Sequence, residues 1–188
     1  MRYNESKLLD GPQNLDEAAQ VIQHHTEKVA RHGNQMAQEY NKYAEELRDT
    51  KMTAEELESK LKQKAQEIKD NINQQIDGFT EWLIKKSVRI VEVLHLNQSE
   101  IAKLGNYAEQ AQGWTERIFK RVLNFIKWVF EKINEGITAV WEATKWVVQK
   151  VQDFVEDAIC KIRQIFQTPE ASRHGEEVWL LCQASLKS

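Results

Sequence analysis

The chain reads as all-α: an elongated antiparallel bundle of three to five long amphipathic helices joined by short capped breaks. Three observations predict this. Apolar residues recur at steps of 4, 4 and 3 from Ile118 to Phe166, the mark of a long amphipathic helix with an 11-residue repeat. Pro12 and Pro169 are the only two prolines, so no proline between them interrupts a helical hydrogen-bond ladder. The first three expected helices are each preceded by a side chain suited to cap them, Asn14, Thr53 and Asn97. The organisation expected is an N-terminal tail at 1–13, one helical-bundle domain at 14–168 and a C-terminal tail at 169–188. Helices are expected at about 14–50, 53–96, 98–112 and 114–167.

Residues 1–13 end in the turn pair Gly11–Pro12. Asn14 is the expected N-cap of the first helix, with Glu17 completing a capping box. A heptad follows. Leu15, Ile22, Val29, Met36 and Tyr43 alternate with Ala19, Thr26, Gly33, Tyr40 and Leu47. The seam is thin. Thr26 and Gly33 leave a shallow groove for a large side chain, with Trp128 or Trp141 the expected occupant.

Thr53 and Glu56 form the next capping box, flanked by Met52 and Leu57 as a hydrophobic staple. The period then changes to eleven. Leu57, Ile68, Phe79, Ile90 and Ile101 form one file, and Leu61, Ile72, Leu83 and Leu94 another. Because the C-terminal helix shares this period, the two are expected to lie along each other. Asn97 and Glu100 make a third box, opening either a short connecting helix at 98–112 or the first turns of the next helix.

The last long helix, 114–167, carries the stripe Ile118, Val122, Ile126, Val129, Ile133, Ile137, Val140, Thr144, Val148, Val151, Val155, Ile159, Ile162 and Phe166. Burying its aliphatic side chains at roughly 1.5–3 kcal/mol each gives a gross term on the order of tens of kcal/mol, so something must cover it. The compact alternative breaks this helix at Gly136, which a glycine permits. Beyond Pro169, Val178, Trp179, Leu180 and Leu181 suggest a short docking helix.

Composition narrows function. A net charge of −3 with mixed signs argues against nucleic acid as a partner, which needs a basic field. Two cysteines, Cys160 and Cys182, are too few for a disulfide framework and are expected to be reduced. No signal peptide is read at the N-terminus, and Lys127, Glu131, Lys132 and Glu135 interrupt the most apolar region, so no transmembrane helix is expected. A cytoplasmic or peripheral-membrane location is favoured. His24, His25 and His32 are not spaced to share a metal. No phosphate loop, nucleophile elbow or Cys–His pair stands out. No enzyme activity, cofactor or metal is expected.

The aromatic content of the last helix is the functional signal. Trp114, Trp128, Trp141 and Trp146 fall within it, with Trp128 and Trp146 at the border of the apolar stripe. Tryptophan there is what an interfacial helix places at headgroup depth. Arg117, Lys120, Arg121, Lys127 and Lys132 outweigh Glu116 and Glu131 nearby, and basic residues near an anionic membrane contribute about 1 kcal/mol each. The 11-residue period resembles, in period alone, the lipid-binding helices of exchangeable apolipoproteins and lipid-droplet coat proteins. The expected function is that of a membrane-active helical protein. Lipid binding, insertion or pore formation would use Trp114, Arg117, Lys120, Arg121, Lys127, Trp128, Trp141 and Trp146. The partner is then an anionic lipid membrane or a second copy. The alternative is a self-associating coiled-coil adaptor that binds a protein partner through helix 14–50 and never touches lipid.

Overall fold

The computed structural model describes residues 11–166. Four long helices form the bundle: α1 (Leu15–Arg48), α2 (Ala54–Leu94), α3 (Gln98–Phe130) and α4 (Ile137–Ile165). At 1.5 Å per residue they span roughly 45–60 Å. The all-α expectation holds. The tail at 169–188 and its expected docking helix lie outside the described residues.

The caps start the helices as local chemistry requires. Thr53 and Asn97 accept from the backbone N–H of Glu56 and Glu100, whose carboxylates accept from the Thr53 and Asn97 N–H groups in return. Asn14 accepts from the Glu17 N–H at 2.8 Å, while the Glu17 carboxylate takes the Gln13 N–H, one residue before the cap. His95 closes α2 in the left-handed conformation.

The expected boundary at 112–114 is absent. α3 runs through Gly113 without a break, and the chain turns instead at residues 131–136. Glu131 and Lys132 donate to the carbonyls of Trp128 and Val129, tightening the last turn of α3. A 3-10 turn, Ile133–Glu135, follows, and Gly136 (φ +106°, ψ 173°) starts α4. A single straight helix from 98 to 165 would span about 100 Å and carry half of the 118–166 stripe past the ends of α1 and α2. The hairpin lets Ile118, Val122, Ile126 and Val129 bury beside Val140, Val147, Val151 and Val155. One continuous apolar cluster results.

α1 is the central helix. It packs on α2, α3 and α4; α2 runs along α3 but not along α4, so the expected pairing of the central helix with the 114–167 stretch holds for the part before the turn and not for the part after it. The reason is α1's small side chains. Buried Ala18, Ala30, Ala37 and Ala44, with Gly33, let two helices approach it closely. The groove at Gly33 is filled by Ile118, Val122 and Val155, not by Trp128 or Trp141; branched aliphatic side chains fit a gap that shallow. The heptad seam of α1 is thus internal: Ile22, Val29, Met36, Tyr40 and Leu47 are buried. α2 keeps its 11-residue file, burying Leu57, Ile68, Phe79 and Ile90, while Ile101 falls on α3 and stays exposed.

Two polar contacts tie α1 to α4. The Thr144 hydroxyl donates to Asn41 Oδ1 at 2.9 Å, and Arg163 Nε donates to the buried Glu27 carboxylate. Among the described residues no cysteine is free, and Cys160 is disulfide-bonded. The expectation of reduced thiols is therefore corrected: pairing depends on Cα–Cα distance, which spacing along the chain does not report.

Candidate functional site

The α3–α4 hairpin brings an aromatic and a basic row together on its outer edge. On α3 the row is Trp114, Arg117, Arg121, Phe125 and Trp128, at steps of three and four residues, hence on one helical face, and Lys132 in the turn that follows continues it. On α4 the facing row is Trp146, Lys150, Phe154 and Lys161. The rows interlock. Phe125 meets Trp146 edge-on, with centroids 5.6 Å apart, and Trp128 lies 4.9 Å from Trp146 at a tilt. Such pairs add about 0.5–1.5 kcal/mol beyond burial.

Nearly every ring of this seam carries a cation. Arg117 lies over Trp114 at 4.5 Å, with Lys161 at 5.5 Å. Arg121 covers Phe154 at 4.6 Å. Lys132 stands over Trp128 and Lys150 over Trp146. At exposed sites such contacts contribute about 0.5–1 kcal/mol each. Carboxylates are fewer: Asp157 holds Lys161 at 3.0 Å and Glu135 approaches Lys132 at 3.7 Å. Trp146 remains 45 % exposed, a large apolar surface left in water on a hairpin whose aliphatic stripe is almost wholly buried.

Of the eight residues singled out from sequence, Trp114, Arg117, Arg121, Trp128 and Trp146 meet in the seam. Three do not. Trp141 faces α1, between Arg48 at 4.1 Å and Lys145 at 4.5 Å. Lys120 and Lys127 are exposed but sit about a quarter turn round α3 from the row, at about 100° per residue.

No protein family, curated protein or solved structure matches this chain.

Function must then be argued from the seam's chemistry. Sequence reasoning missed Lys150, Phe154 and Lys161. Their spacing from Trp146 was visible, but only the turn at Gly136 sets that row against α3. Among the described residues no helix is long and apolar enough to cross a membrane.

Proposed function

We propose that this chain is a non-enzymatic, membrane-active helical protein that docks on anionic lipid surfaces through the α3–α4 seam. The observation that carries the reading is the interleaving of tryptophans, Trp146 exposed and Trp114 and Trp128 partly buried, with cations along one edge. In water the cations cover the rings. Near anionic headgroups Arg117, Arg121, Lys132, Lys150 and Lys161 turn to phosphates, and Trp114, Trp128 and Trp146 settle at interfacial depth. The stripe from Ile118 to Val155 is core in the closed bundle. It reaches lipid only when the α3–α4 hairpin parts from α1, which is the step that leads to insertion or pore formation.

The test is flotation with neutral and anionic vesicles, following tryptophan emission in the same samples. Anionic vesicles should carry the protein up, less so in high salt. Replacing both Arg117 and Arg121 by Gln should weaken binding about thirtyfold, at about 1 kcal/mol per charge. Lys120→Gln with Lys127→Gln should cost clearly less. Trp128→Ala with Trp146→Ala should weaken binding with helicity kept. Equal binding by all these variants would remove the seam assignment, and no flotation at all would remove the membrane reading.

A second reading is favoured by one specific observation. Ile84, Val88 and Val93 on α2 and Ile101 on α3 are 41–60 % exposed. Exposed apolar residues of this kind suit self-association. Under that reading stability rises with protein concentration and vesicles have no effect. The α1 heptad is closed to partners in the folded bundle, so the contact would form on α2 and the start of α3.

A further inference from the structure

Between α1 and α2, away from the seam, lies a cavity of about 320 Å³ lined by His25, Lys28, Val29, His32, Gln74, Gln75, Gly78 and Phe79. That is the low end of ligand-sized pockets, roughly 300–1,000 Å³. Its basic groups all come from one side. Lys28, His25 and His32 come from α1, side-chain amides come from α2, and no carboxylate lines it. Lys28 and His32 form no ion pair among the described residues.

Its other features are apolar and open. Val29 and Phe79 are buried core residues that show their sides to it. His25 is held flat by stacking on Trp82, with centroids 3.8 Å apart and 17° between planes. Gly78 lies inside α2, where glycine costs about 1 kcal/mol against alanine, and a Cβ there would meet nothing within 4 Å. The missing side chain leaves the cavity accessible.

We propose that this cavity binds a small monocarboxylate with a planar apolar body, the carboxylate on Lys28 and His32 and the body against Val29 and Phe79. Gln74 and Gln75 supply further amide N–H donors. The local field has the right sign. Burial first, and then Lys28, His24 and His32, push the His25 imidazole down to about 4, and a bound anion reverses the effect of those three neighbours.

The experiment is a titration of the full chain with benzoate, read by histidine NMR. Benzamide is the neutral isostere, and inorganic phosphate is the anion without a body. Benzoate should shift the His25 and His32 resonances saturably and raise the His25 pKa. Benzamide and phosphate should bind at least about tenfold more weakly. Gly78→Leu fills the space from an exposed helical position, and Lys28→Gln removes the cation; each should weaken benzoate about tenfold or more. No shift at millimolar benzoate overturns the site. So does benzamide binding as tightly as benzoate, phosphate competing equally, or benzoate binding unchanged in Gly78→Leu.

Discussion

Gly33 of α1 lies directly beneath Ile118 of α3. A Cβ placed on Gly33 would stand 2.9 Å from Ile118 Cγ2 and 3.7 Å from the γ-carbons of Val122 and Val155. All three partners are buried and β-branched, so none can swing aside. This contact fixes how closely the central helix approaches the α3–α4 hairpin.

Gly33→Ala should therefore destabilise the bundle. The overpacking cost is about 1–3 kcal/mol, against about 1 kcal/mol gained in helix propensity. A net loss of about 1 kcal/mol is expected in urea unfolding. Gly78→Ala is the matched control. Its Cβ meets open space, so it should gain about 0.5–1 kcal/mol. If both variants gained equally, α1 would not lie as close to α3 as described.

Gly136 should resist substitution for a different reason. At φ +106° and ψ 173° it occupies a region that side-chain-bearing residues avoid, although a Cβ there would touch nothing. Gly136→Ala should cost about 1–3 kcal/mol through backbone strain alone. Under the proposed function, relief of that strain favours a continuous helix and an open bundle. The variant should then release dye from anionic vesicles faster than the parent chain. Unchanged thermal stability would show that the turn is not held as described.

His25 makes stability depend on pH. Its imidazole is held near 4 by burial, with Lys28, His24 and His32 adding to the effect, while an unfolded histidine titrates near 6.5. Between those values the unfolded chain binds the proton more readily, so stability is full above about pH 6.5 and falls as pH drops towards 4. The ring is only half-buried, and screening reduces the effect to about 1–2 kcal/mol over that window. His25→Phe keeps a ring to stack on Trp82 and removes the titration. Its stability from pH 6.5 to 4 should fall less than the parent's in urea titrations, and parallel profiles would rule the assignment out.

Much of the fold was legible because it is local chemistry. The boxes at Thr53–Glu56 and Asn97–Glu100 read directly from residue types three apart. The burial of Leu57, Ile68, Phe79 and Ile90 follows from period alone. The turn at Gly136 was legible only as a possibility. Glycine permits a break, and whether one forms depends on whether a hairpin buries more of the stripe than a straight helix does. Half of the candidate site was legible in the same way: Trp114, Arg117, Arg121 and Trp128 lie on one face of one helix. Lys150, Phe154 and Lys161 joined them only because α4 folds back.

By itself, then, the sequence determined what each helix must bury and where most of the helices begin, since capping and amphipathic periodicity act over a few residues. Tertiary structure decided which helix covers which face. Residues such as Ala30, Gly33, Ala37 and Ala44 carry little hydrophobic signal, yet they set how near two helices can come. That distance placed α1 at the centre and sent Trp141 to Arg48. It also left the tryptophans of the α3–α4 edge under their cations, with Trp146 facing water. Contact between residues a hundred positions apart is fixed by packing volume, which no local pattern encodes.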